Sequence, residues 1–277
     1  MLHPSNPLLR LLADNRNVSG RRAGVVAAKP AADVATVYLY DAIVSDAALE
    51  EMGFGVSAQT LVPKIAAIDA DVIHLRINSP GGDVFAGQAI AQALREQRAQ
   101  VVAHVDGVAA SAASVVLAAA DVRVIAPGAF VMVHNSWSFV IGNSADMLAA
   151  AELLEQVDDS IAAQYARAAG GTQAQWRERM AAETWFGAQA AIDAGLVSAI
   201  SDGSESAQAQ WRLAAYAHAP AQAAPAPAAQ PTPAGNAHAH EQALRRLHLI
   251  ERTGRVSQAA AQWQNRNLAQ SPAARAQ

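Results

Sequence analysis

Between residues 35 and 200, short β-branched runs alternate with alanine-rich helical stretches, and this alternation constrains the fold more than any other feature of the chain. Thr36-Val37-Tyr38-Leu39-Tyr40 and Val72-Ile73-His74-Leu75-Arg76-Ile77 read as strands, as do the runs 101–105, 122–125 and 129–133. Residues 57–69 carry Leu61, Ile65 and Ile68 at helical spacing behind a capping serine, Ser57. Helical spacing returns over 84–97, 111–120, 145–169 and 172–181. Strands that alternate with helices pair through crossover connections, so the pattern predicts an α/β fold with a parallel sheet. Such sheets gather ligands at the carboxyl ends of their strands. The two most unusual loops fall at such ends: Pro80-Gly81-Gly82, and Gly107 to Ser111 after a turn expected at Asp106-Gly107.

Composition narrows the function classes. Hydrophobic residues make up 52% of the 277-residue chain but aromatics only 5%, so the core is expected to be built from small side chains. A net charge of -4 argues against a nucleic-acid partner, which usually meets a basic patch. With 0 cysteines there is no disulfide, no thiolate metal site and no cysteine nucleophile. No apolar run reaches the roughly 20 residues of a membrane helix. The longest, around 108–120, ends at Asp121. Pro4, Pro7, Arg10 and Asp14 interrupt the N-terminus as a signal peptide. The expectation is a soluble cytoplasmic protein with no membrane partner.

Four regions are expected. Residues 1–30 read as an irregular lead-in and 31–213 as the α/β domain. At Ala214 the composition turns to Ala, Pro, Gln and His, and 214–240 reads as a flexible linker because it lacks large apolar residues to bury. Residues 241–277 form a helical or disordered tail, with Leu244, Leu247 and Ile250 at helical spacing and Arg245, Arg246, Arg252 and Arg255 among them.

Three segments carry chemistry. In Asp106-Gly107-Val108-Ala109-Ala110-Ser111-Ala112 a strand gives way to a helix at a serine, which puts a hydroxyl beside free backbone N–H groups. The bland alternative is that Ser111 is a helix cap. In Asn78-Ser79-Pro80-Gly81-Gly82-Asp83, paired glycines can turn N–H groups toward an oxyanion or a substrate strand, or simply make a turn. In Val131-Met132-Val133-His134-Asn135 a histidine ends an apolar strand. It is a structural residue by default, but a base for Ser111 if the fold brings the two together. His74 and His104 lie within strands and are weaker candidates.

Taken in order, Ile77 to Gly82, Gly107 to Ala112, Val131 to Asn135 and Glu183-Thr184-Trp185-Phe186 with Ala194-Gly195-Leu196-Val197 resemble the Clp protease proteolytic subunit family. The likeness runs from about Ala35 to Ile200 and leans toward the phage head-maturation branch. It implies a ClpP/crotonase-like superfold of repeated β-β-α units, followed by the disordered Ala/Pro linker and short helical tail. It implies a serine endopeptidase with Ser111 as nucleophile, His134 as base and an oxyanion hole at Gly82 and Ala112, with Gly81 beside it. Glu183 stands at the third triad position, where the housekeeping branch has aspartate. Asp158 and Asp159 are the alternatives. No metal or cofactor is implied. The partners implied are further copies of the chain in rings, stacked heptamers being one arrangement, and protein substrates such as capsid or scaffold proteins, in the host cytoplasm or an assembling particle. Two rivals remain open: a crotonase-like acyl-thioester enzyme, and an inactive scaffold of the same fold working through its Arg-bearing tail.

Overall fold

The β-branched runs assemble one 8-stranded sheet. The computed structural model describes residues 7–15, 24–26, 33–201 and 211–220. Helix α1 (Pro7–Asp14) precedes strands β1 (Gly24–Val26), β2 (Val34–Leu39) and β3 (Ile43–Val44). Helix α2 (Ala47–Glu51), strand β4 (Val56–Ser57) and helix α3 (Ala58–Ala66) lead to β5 (Val72–Ser79) and α4 (Val84–Arg95). Then come β6 (Gln100–Ala110), α5 (Ala112–Leu117), β7 (Val122–Ile125) and β8 (Phe130–Val133). The long helix α6 (Ser144–Ala169) and α7 (Gln173–Ala181) precede β9 (Thr184–Gly187), α8 (Ala188–Asp193) and β10 (Ala199–Ile200).

The sheet order is β1-β2-β5-β6-β7-β10, with β8 also on β6 and β9 on β8. β2, β5, β6, β7 and β10 run parallel, and β8 runs parallel to β6. Among the described residues only β1 on β2 and β9 on β8 are antiparallel. The result is a mixed α/β architecture with a mostly parallel sheet, as the alternation of strands and helices predicts. β3 and β4 make a small parallel pair of their own.

β6 decides where the site lies. Its first half, Val102 to Val105, pairs with β7. Its second half, Val108 to Ala110, pairs with β8. Beside it the register of β5 shifts between Ile77 and Ser79. Burial changes at the same point. Side chains alternate between buried and half-buried up to His104, and from Val105 onward every one is buried. A strand covered on both faces loses its alternation. The turn expected at Asp106-Gly107 is therefore absent, and the strand runs straight through it. Asp106 is accommodated inside the sheet because Arg76 donates to both its carboxylate oxygens at 2.7 Å and the Tyr40 hydroxyl adds a third bond at 2.5 Å. A buried carboxylate so paired has no need of a solvent-facing turn.

Two cores flank β6. On one side Val105 and Ala109 join Ile77, Ile90, Ala113 and the helical layer. On the other, Val108, Ala110 and Met132 meet Leu11, Trp211, Leu213 and Tyr216. The second cluster departs from two expectations. The lead-in contributes a helix, α1, and a strand, β1, and Asn15 after α1 bonds the Arg212 backbone in both directions, at 2.7 and 2.9 Å. The stretch expected to loosen at 214 begins inside a packed segment, since Tyr216 is only 5% exposed. Tyr216, with Trp211 and Leu213 just before it, anchors the start of a sequence whose average composition reads as linker. Residues 221–240 and the tail 241–277 lie outside the described residues.

Helix α6 divides its apolar face. Val157, Ile161 and Tyr165 are buried in the core, whereas Met147 and Leu148 near its start are exposed.

Candidate active site

Ser111 sits on the single residue between β6 and α5. Its backbone is at φ 54 and ψ -126, a region that non-glycine residues rarely occupy. Such a conformation costs on the order of 1–3 kcal/mol and persists where the surroundings impose it. Here they do: the Ser111 N–H donates to the Met132 carbonyl at 3.0 Å, which extends the β6–β8 pairing, and the Ser111 carbonyl accepts from the N–H and hydroxyl of Ser114. Ser111 makes no side-chain cap to α5. Its Oγ instead lies 2.7 Å from His134 Nε2.

His134 follows β8, which pairs beside the end of β6, so the parallel register brings serine and histidine to the same edge. Trp137 donates its indole N–H toward the same Nε2 at 3.3 Å. Burial pushes the imidazole down to about 4, against the opposing pull of the Glu183 and Asp158 charges. The ring is therefore neutral at pH 7 and able to accept a proton from Ser111. His74 and His104 hydrogen-bond to each other at 2.9 Å, elsewhere on β5 and β6.

The carboxylates occupy separate stations. Asp158 is buried, accepts from the Ser136 N–H at 2.6 Å, and pairs with Arg177 at 2.9 Å. It thus holds the loop that follows His134. Asp159 pairs with the other side of the same guanidinium at 3.3 Å. Glu183 follows α7 at φ 46. Among the described residues, it and Ser111 are the two non-glycine residues with positive φ. Its carboxylate accepts from the Ala217 and His218 N–H groups at 2.9 and 2.6 Å, and from the Trp185 indole at 3.2 Å. Neither Glu183 nor Asp158 hydrogen-bonds to His134, and both act on it through space.

The glycine pair is explained by close contacts. Gly81 O accepts from Ile43 N and Asp83 N donates to Ile43 O, both at 2.8 Å. In such a bridge the intervening residue turns its own N–H to the opposite side, so Gly82 N–H points away from β3. A Cβ on Gly82 would stand 2.0 Å from the Ile43 carbonyl oxygen. A Cβ on Gly81 would stand 2.5 Å from the Ala110 carbonyl oxygen and 2.7 Å from Ser111 Cβ. Gly81 therefore backs directly onto the serine. Among the described residues neither Gly82 N–H nor Ala112 N–H has an acceptor. Gly81 abuts Ser111 and Ala112 follows it in the chain, so both unpaired donors lie in the segments that meet at the serine. Among the described residues no group of three or more His, Asp or Glu could hold a metal ion, and no helix is long and apolar enough to cross a membrane.

Sequence reasoning missed the aromatic shell. Trp137 and Tyr216 both stand against His134, the Tyr216 ring edge-on to the imidazole at 5.3 Å, and Trp185 backs Tyr216 from behind. The available signal was scarcity: with only 5 Trp and 4 Tyr in the chain, a tryptophan three residues after His134 and another two after Glu183 stand out.

The comparisons with known proteins agree with this geometry. The profile of the Clp protease family matches residues 43–204, more than half of the chain. The ATP-dependent Clp protease proteolytic subunit 1 of Leifsonia xyli subsp. xyli is 33% identical over 132 residues, 47% of this chain and 67% of that protein. Proteolytic subunit 2 of Tropheryma whipplei is 31% identical over 149 residues, 52% of this chain and 83% of the relative. Proteolytic subunit 2 of Corynebacterium glutamicum is 34% identical over 127 residues, covering 45% and 63%. The match takes in β3 through β10 and so every strand that positions Ser111 and His134: the chain belongs to the Clp protease family.

Proposed function

We propose that the chain is a serine endopeptidase in which Ser111 attacks a peptide carbonyl and His134 Nε2 accepts the hydroxyl proton. The observation that carries this reading is the 2.7 Å bond between Ser111 Oγ and His134 Nε2 at a strained strand-to-helix turn. The oxyanion gathers the N–H groups of Gly82 and Ala112. His134 then protonates the leaving amine, and water attacks the acyl-enzyme to release the second product. Glu183 is the orienting acid of this scheme. Its support is the positive φ, a cost that tends to persist where function requires it, and its charge acting on the imidazole.

The proposed setting is the processing of capsid or scaffold proteins during phage head maturation, without an ATPase, by a ring of identical subunits. The sequence resemblance to the phage branch motivates the setting. The exposed apolar strip of Phe139, Ile141, Met147 and Leu148 suits contact with a further copy. The test is digestion of an unfolded protein such as casein, and of phage capsid and scaffold proteins, in the absence of nucleotide. The reading expects cleavage that is lost in Ser111→Ala. Cleavage that persists in Ser111→Ala would remove it.

A further inference from the structure

Residues 211–220 lie on the groups that a substrate must reach. The Tyr216 hydroxyl donates to the Pro80 carbonyl at 2.5 Å and also meets the Ser111 side chain. Its ring stands beside His134, Trp137 and Trp185, with centroids 5.3, 6.3 and 6.0 Å away. An acyl group attacked by Ser111 and held by Gly82 and Ala112 needs this volume. Upstream, the Trp211 indole donates to both the backbone and the side-chain oxygen of Asn78, at 3.1 and 2.9 Å, at the carboxyl end of β5. Downstream, the Ala217 and His218 N–H groups occupy the Glu183 carboxylate.

The segment is held as a peptide ligand is held. Trp211 and Leu213 are buried while Arg212 and Ala214 between and after them are exposed. That alternation is how an extended peptide fills pockets with every second side chain. The anchors are few: Trp211, Leu213 and Tyr216 among the apolar residues, and Asn15 clasping the Arg212 backbone.

We propose that residues 211–220 are an intramolecular occupant of the substrate cleft, which keeps the site closed until a protein substrate or partner displaces them. The inference rests on the peptidase reading of Ser111 and His134. Release of the segment does two things at once. It vacates the space over Ser111, and it removes two N–H donors from Glu183, leaving the carboxylate available to the imidazole. It also readmits water to His134, which restores the base strength that burial suppresses. The polypeptides that compete best carry bulky apolar side chains at alternate positions, as Trp211 and Leu213 do, with an aromatic ring to follow.

The experiment is the rate of fluorophosphonate labelling of Ser111 in the full chain, compared among the parent, Tyr216→Ala and Asn15→Ala. Asn15→Ala loosens the segment from outside the cleft. It also keeps the test decisive if the tyrosine variant does not fold. Labelling depends on the fraction of molecules with an open cleft, so Tyr216→Ala is expected to label about tenfold faster or more, and Asn15→Ala by a smaller factor. A synthetic peptide Trp-Arg-Leu-Ala-Ala-Tyr-Ala-His-Ala-Pro is expected to slow Asn15→Ala back toward the parent rate. Equal rates in all three proteins with the label on Ser111, and no effect of the peptide, would overturn the inference and leave the peptidase reading intact. Absence of label on Ser111 in every variant would remove the peptidase reading and the inference with it.

Discussion

The two sides of Ser111 are built differently. Beneath it lie β5, β6, β8 and α5, most of whose buried side chains belong to one core that also takes in α3, α4 and α6, while Val108, Ala110 and Met132 face the other way. Above it lies a ten-residue stretch held by a small satellite cluster. The lower side fixes the backbone of Ser111 at a costly φ and the approach of Gly81 to within a Cβ of the serine. The upper side supplies side chains that touch the same catalytic groups but share little of the core. Support and proposed cover therefore share the end of β6 and β8 and meet at one hydroxyl.

The largest effects should come from the hydroxyl and its base. Ser111→Ala and His134→Ala are each expected to lower peptide hydrolysis by about 10⁴-fold or more, by analogy with the loss of a triad member. Full activity in His134→Ala would separate the two residues that the fold brings together. Glu183→Gln is expected to lower kcat by about 10²-fold or more with the fold retained, while Asp158→Asn acts mainly on stability by leaving Arg177 and the Ser136 loop poorly paired. A larger kcat loss in Asp158→Asn than in Glu183→Gln would reverse the assignment of the acid.

The contrast between support and cover can be measured with two tryptophans. Trp176 and Trp211 are 0% and 1% exposed. Trp176→Ala is expected to cost about 3–5 kcal/mol in denaturant unfolding, as core Trp deletions do. Trp211→Ala is expected to cost about 1 kcal/mol or less of global stability, because it frees a segment that can open by itself. Equal losses would show the cover to be part of the core.

A pH profile sharpens the same comparison. The base works only when deprotonated, and burial holds His134 down to about 4. Activity should therefore hold as pH falls from 8 toward 5 and drop through about 4. In Tyr216→Ala, where the ring no longer shields the imidazole, the midpoint should move up toward the ordinary histidine value of about 6.5. The smallest effect is expected away from both regions. Gly128→Ala meets nothing within 4 Å and should change stability by less than about 0.5 kcal/mol, whereas Gly81→Ala must displace the Ala110 carbonyl oxygen and Ser111 Cβ.

Much of the supporting side was legible in the sequence, because its signals are local. β5 with the Pro80-Gly82 turn, the helical spacing of α4, and the run into His134 each announce themselves through periodicity and turn chemistry. The end of β6 did not. Gly107 reads as a turn, but the strand continues because Arg76 and Tyr40 satisfy Asp106 from neighbouring strands, a contact across 30 and 66 residues. The covering side was illegible for a related reason. A window rich in Ala, Pro and Gln averages to a linker, and nothing local says that Trp211 finds Asn78 across 133 residues or that Tyr216 finds Pro80 across 136.

The most direct measurement is mass-spectrometric mapping of a fluorophosphonate adduct on the parent, Ser111→Ala and His134→Ala. The account predicts a single adduct on Ser111 that is absent from both variants. An adduct on another serine, or undiminished labelling of Ser111 in His134→Ala, would contradict it.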